Sequence, residues 1–202
     1  MKHSTRLVSA LVTVCASLVV ANAAHAQGAT AILHLDGFSF VSFGNQELYS
    51  IPLGSSVAFE FGEPNPDGSV PFTIAPSGVK ILPIPMGGEY RELRYSLAAP
   101  ATGTMQQTPE GRRLDFTAEL RATLVNDKGE SGAFTYSMPF TTESVLARSH
   151  AGDVTLAVGG MRVAEATEYV QIVGATTNKE EAFPAPGTAV YTLLSGNFAG
   201  MP

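Results

Sequence analysis

Four residues carry side chains that metal or acid–base chemistry uses, in two close pairs: His34 with Asp36, and His150 with Asp153. His34 and Asp36 are two positions apart, so on an extended strand they share a face, while His150 and Asp153 sit together beside a loop. Imidazole nitrogens and carboxylate oxygens are the donors of catalytic zinc sites, and an imidazole next to a carboxylate is also an acid–base pair. Convergence of the four would make a small metal-dependent hydrolase. Against that stands the ordinary use of these residue types, in which histidines at strand ends are solvated and aspartates build turns.

Other hydrolytic arrangements are weaker. Ser149 adjoins His150, but sequence neighbours on an extended chain point to opposite faces, so they are not by themselves a nucleophile and its base. Neither a Gly-x-Ser-x-Gly elbow nor a His-Glu-x-x-His helix occurs. Calcium could be offered oxygens by Asn65 and Asp67, or by Asn126, Asp127 and Glu130, yet neither segment follows a calcium-loop pattern, and hairpin chemistry accounts for the second. Glu60, Glu119 and Glu143 are carboxylates of the kind glycoside hydrolysis needs in pairs. With no tryptophan in the chain, a sugar platform would fall to tyrosines, most of which lie on strand faces and read as core. No catalytic residue and no cofactor is therefore assigned.

The elements that must position these residues centre on Leu93 to Phe140, which reads as a three-strand antiparallel meander. From Leu114 to Leu124 every second residue is apolar, with Asp115, Thr117, Glu119, Arg121 and Thr123 between them, the period of a strand with one buried face. Asn126-Asp127-Lys128-Gly129 suits a hairpin with glycine in the left-handed region. Closing it at Asn126 and Glu130 sets Leu124 opposite Gly132, Ala122 opposite Phe134, Leu120 opposite Tyr136, Ala118 opposite Met138 and Phe116 opposite Phe140. A one-residue slip would bury Arg121 and Glu119, so the register is strongly specified. On the other side, closing Thr108 to Gly111 with Gln107 and Arg112 sets Met105 opposite Leu114, Gly103 opposite Phe116, Ala101 opposite Ala118 and Leu97 opposite Ala122. Pro139 lacks an N–H, so the third strand is expected to be an edge there or to lose its outer partner.

Flanking segments add shorter strands: Ala29 to Asp36 and Phe38 to Phe43 around Gly37, Val57 to Phe61, Val70 to Ile74, Asp153 to Val158, Tyr169 to Val173 and Thr188 to Leu194. The last is expected to end at Ser195-Gly196-Asn197. Gly62 to Gly68, with its prolines and glycines, is a surface loop. Val79 to Pro85 carries Pro83 and Pro85 and suits an edge or extended connection. Arg162 to Glu168 has room for a helical turn or two. Many short strands separated by turns predict an all-β fold, a single antiparallel β-sandwich built around the meander, with a small β-barrel as second choice. A lipid-spanning barrel fits poorly, because the face that would meet lipid is rich in alanine and glycine.

Residues 1–26 combine a basic start (Lys2, Arg6), an apolar run from Leu7 to Val20 and the ending Ala24-His25-Ala26. This is the pattern of a secretory signal peptide cleaved after Ala26, which leaves 27–202 as one all-β domain in a periplasmic or extracellular setting. Cys15, the one cysteine, lies in the leader, so the mature chain is cysteine-free. Loss of Lys2 and Arg6 moves the formal net charge from −6 to −8. An acidic chain without basic clusters argues against nucleic acid as a partner, and the mature chain contains no apolar run long enough for a transmembrane helix. The leading expectation is an exported, non-enzymatic β-sandwich protein with a binding or structural role in or outside the cell envelope, its partner a protein, a glycan or a small apolar ligand. The second is a carrier holding a small apolar ligand in a β-barrel interior, because Ala99, Ala101, Gly103, Ala118 and Ala122 are small. The third is the metal-dependent hydrolase on His34 and His150.

Overall fold

The computed structural model describes residues 28–44, 47–148, 167–179 and 185–202. The expected leader, the expected strand Asp153 to Val158, and His150 and Asp153 themselves lie outside the described residues. Among those described, thirteen strands form one antiparallel system: β1 (Ala29–Leu35), β2 (Phe40–Phe43), β3 (Glu47–Ser50), β4 (Ser56–Phe61), β5 (Val70–Ile74), β6 (Val79–Lys80), β7 (Ile84–Pro85), β8 (Glu92–Leu97), β9 (Ala101–Thr108), β10 (Gly111–Asn126), β11 (Gly129–Arg148), β12 (Thr167–Thr177) and β13 (Ala189–Ala199). Hydrogen-bonded neighbours follow the order β1-β4-β5-β9-β10-β11-β12-β13-β2-β3. Strand β13 also pairs with β1, so the sheet curls until its two stretches face each other across one core. The expected all-β sandwich around the meander is what the chain forms.

Alternation builds that core directly. Leu114, Phe116, Ala118, Ala122 and Leu124 of β10 are buried, as are Phe134, Tyr136, Met138 and Phe140 of β11. Val57, Phe59 and Phe61 of β4 meet them from the other side, with Phe72, Val170, Ile172 and Phe198. The facing of the two stretches is visible in rings from strands that are not neighbours. Phe59 lies 6.1 Å from Phe116, and Phe43 lies 6.5 Å from Phe134, both edge-on. Edge-to-face contacts of this kind suit the ring quadrupole and add to the burial term.

The β10–β11 register is the expected one from Phe116 opposite Phe140 to Leu124 opposite Gly132. At the tip the pairing shifts, placing Val125 opposite Glu130 and Asn126 opposite Gly129, with Gly129 at φ 113° as the turn glycine. Ser131 is the extra residue. On the other flank Gln107 pairs with Arg112, Met105 with Leu114 and Gly103 with Phe116, as expected. Beyond Ala101 the expectation fails. The chain breaks at Ala98-Ala99-Pro100 and resumes as β8 with Leu97 opposite Leu120 and Tyr95 opposite Ala122, a slip of two. An even slip keeps every side chain on its face, so the core survives it. The break lets β10 change partner, β9 continuing to β5 while β8 takes up β7.

Pro139 stands where the third strand changes status. Its partner on β10 is Thr117, and pairing of β11 with β12 begins one residue later, at Phe140 with Gly174. Two other expectations are corrected. The strand expected from Phe38 begins only at Phe40, because a turn at Asp36 to Ser39 separates β1 from β2, leaving Phe38 exposed and Val41 and Phe43 inside. Ser195-Gly196-Asn197 does not end the last strand but lies within β13. Gly196 is there because β1 crosses so closely that a Cβ would overlap the His34 carbonyl. Thr167 and Glu168, at the end of the segment given room for a helical turn, are strand residues of β12.

Candidate functional site

Strand β1 has alternate residues Ala31, Leu33 and Leu35 buried, which turns His34 to the other face, half-buried between Asn197 of β13 and Ser56 of β4. Partial loss of water pulls its imidazole below the ordinary 6.5. Asp36, one residue past the strand, is committed to the bend. Its Oδ1 accepts from the Phe38 N–H at 2.8 Å and from the Ser195 hydroxyl at 2.9 Å. The Ser39 hydroxyl completes the knot by donating to the Ser195 carbonyl at 2.8 Å and accepting from its N–H at 2.9 Å.

Ser39 thus does for the Ser195 N–H what a paired backbone would have done, while the Ser195 carbonyl also accepts from the Asp36 N–H at 3.0 Å. Both serines are wholly buried, where an unmet backbone polar group would be costly. Of the constellation proposed for chemistry, His34 and Asp36 are placed here, and Asp36 has a structural task; His150 and Asp153 lie outside the described residues. No group of three or more potential metal ligands is present among the described residues.

The other polar candidates are held by local bonds. In the Gly62 to Gly68 loop, Asn65 Nδ2 donates to Ser69 Oγ at 2.9 Å, and the Ser69 N–H and hydroxyl both donate to Asp67 Oδ1, at 2.9 and 2.7 Å. These bonds hold the Asp67 carboxyl below its ordinary value. Asn126 Oδ1 accepts from the Lys128 N–H at 2.8 Å, an Asx turn, and Asp127 faces Arg91 at 3.4 Å in the open. Glu60, Glu119 and Glu143 are exposed. Of the tyrosines, Tyr136 belongs to the core and donates to the Tyr95 hydroxyl at 2.9 Å, whereas Tyr191 is exposed and stacked with Phe40 at 6.0 Å.

The concave feature of chemical interest lies beneath the meander. Row by row, Phe72 of β5 stands opposite Gly103, Gly103 opposite Phe116, Phe116 opposite Phe140, Phe140 opposite Gly174, Gly174 opposite Thr192, and Thr192 opposite Val41. In this belt a glycine flanks the Phe116–Phe140 pair on each side. A Cβ on Gly103 would lie 2.6 Å from the Phe72 ring and one on Gly174 would lie 2.5 Å from that of Phe140, so the glycines are the space the rings occupy.

Where the belt turns to β13 and β2 the filling is incomplete. A cavity of about 60 Å³ remains, walled by Phe116, Ala118 and Phe140 of the meander and by Val41, Ile51, Val57, Ile74 and Leu194 opposite. Thr192 is also in its wall, 4% exposed, and its Oγ1 has no hydrogen-bond partner.

The mouth is defined by the lining residues that retain exposure: Val79 and Ile81 on one side, Tyr95, Ser96 and Leu120 on the other. Strand β6 pairs with β4, and β8 with β7 and β10, so no ladder crosses between β6 and β8. Sequence reasoning pointed to Ala118 as a source of interior room and missed Thr192. Its signal was a single polar residue in phase with Val190 and Leu194. No protein-family model and no curated protein sequence matches the chain.

Proposed function

We propose that this chain is an exported, non-enzymatic binding or structural module of the cell envelope or its exterior. The observation that carries the reading is the use of the candidate polar groups as scaffold. Asp36, Asn65, Asp67 and Asn126 each accept or donate within a turn, and a single aromatic core fixes the frame around them. Intact-mass measurement of the protein from periplasmic and culture fractions tests export, with a mature chain beginning at Gln27 as the expected result. A chain retaining Met1 in the cytosol overturns it. A hydrolase activity lost on His34→Ala or His150→Ala overturns the non-enzymatic part.

A second reading, a carrier of a small apolar ligand, is favoured by the cavity under the meander. Its wall is hydrocarbon apart from a few hydroxyls, and its mouth opens at a seam between strands. Binding of xenon in solution, followed by shifts of the amide resonances around Ala118 and Leu194, is the expected result.

A further inference from the structure

We propose that the cavity holds a small amphiphile, a short apolar chain carrying one hydrogen-bonding group, with Thr192 as the residue that receives that group. This deepens the carrier reading and rests on it.

The inward residues of β13 are Val190, Thr192, Leu194 and Phe198, and Thr192 alone among them is polar. A buried hydroxyl is normally paired, and one left unpaired in a wall of isoleucine, valine and phenylalanine marks either strain or a missing partner. Its strand neighbours provide nothing: Gly174 on one side has no side chain and Val41 on the other is apolar. Rotation about χ1 carries the threonine hydroxyl to another staggered position, so the oxygen can turn to a guest without movement of the strand.

Water is a poor guest here. A buried water needs two to four polar partners, and the rest of the wall is hydrocarbon apart from Tyr95, whose hydroxyl already accepts from Tyr136, and Ser96 at the mouth. A molecule with one hydrogen-bonding group and a hydrocarbon remainder matches both parts of the wall. The volume of about 60 Å³ is well short of the ~150 Å³ that accepts benzene. That limits the guest to the size of a short primary alcohol. Entry is through the seam between Val79 and Tyr95, where the wall has no backbone hydrogen bonds to break.

The test uses the mature chain with xenon and 1-propanol as probes, followed by amide resonances. Wild type is expected to bind both. Thr192→Val keeps the shape and removes the hydroxyl, so xenon binding should persist while propanol affinity falls about fivefold, the factor for one neutral hydrogen bond. Thr192→Ser, which keeps the hydroxyl, should retain propanol. Val79→Phe at the half-buried mouth should slow or block both probes while melting as wild type does. Failure of xenon to bind wild type overturns the carrier reading together with this inference. Xenon binding with equal propanol affinity in wild type and Thr192→Val overturns this inference alone.

Discussion

Phe116 and Phe140 face each other across β10 and β11 with ring centroids 4.8 Å apart and planes 12° from parallel. The stack can form because the next position outward on each side, Gly103 and Gly174, has no side chain. A methyl on Gly174 would lie 2.5 Å from both Met138 Sδ and Phe140 Cε1. Gly174→Ala is therefore expected to destabilise by ~1–3 kcal/mol, the usual result of overpacking a filled core. Gly132 has open space around its Cβ direction and no positive φ. Gly132→Ala should be neutral or stabilise by up to ~1 kcal/mol through the unfolded chain. Urea denaturation of the two variants checks the contrast, and equal effects would show that the belt is not close-packed.

The Ser39–Ser195 exchange gives a second expectation. Ser39→Ala removes a donor to the Ser195 carbonyl and the acceptor for its N–H at once, in a wholly buried place. The Ser195 carbonyl keeps the Asp36 N–H, so one buried group, the Ser195 N–H, is left unmet, and the loss should be ~1–3 kcal/mol. Asp127→Ala, which breaks only the open contact with Arg91, should change stability by less than ~1 kcal/mol. Denaturation midpoints at fixed m-value decide it; a Ser39→Ala variant as stable as wild type would mean that water enters the bend.

Much of the frame was legible because alternation on β10 and β11 selects the face and the hairpin at Asn126 to Gly129 brings the register to within one residue; the loop closes Asn126 on Gly129 rather than Glu130, and the extra residue Ser131 restores the expected pairing from Leu124 onward. What stayed hidden has definite physical causes. The two-residue slip at Ala98 to Pro100 leaves parity unchanged, so no pattern of apolar residues distinguishes Leu97 opposite Leu120 from Leu97 opposite Ala122. Ser195-Gly196-Asn197 has the composition of a turn, but Gly196 answers to the approach of β1, a contact from a strand distant in sequence. Asp36 was legible as a polar residue near His34, and its use as a brace for Ser195 depends on the same distant strand. Thr192 acquires meaning only once Gly174 and Val41 are placed on either side.

His34 should impose a pH dependence of modest size. Its imidazole is harder to protonate in the folded chain than in the unfolded one, so the unfolded state binds more protons as pH falls below the ordinary value of 6.5. The stability it contributes is present above that pH and declines as pH falls from 6.5 toward the lower folded value. Between neutral and mildly acid pH, wild type should lose melting temperature relative to His34→Gln as acidity increases. A constant difference across that range would show that the ring is as well solvated folded as unfolded.

The Tyr95–Tyr136 pair should act at the alkaline end. Burial pushes both phenols above the ordinary value of 10.0, and for Tyr95 the facing Tyr136 adds to the effect. A phenol that resists ionisation when folded contributes stability that is whole below pH 10.0 and is lost as pH rises toward the folded value. Tyr95 and Tyr136 should ionise only as the fold opens. Phenolate absorbance and circular dichroism followed together through an alkaline titration should therefore show a late absorbance step coincident with loss of structure. In Tyr136→Phe the remaining Tyr95 hydroxyl loses its partner, so the protein should be less stable at neutral pH by ~1 kcal/mol. Its stability should also fall less steeply above pH 10.0, because one of the two resistant phenols is gone.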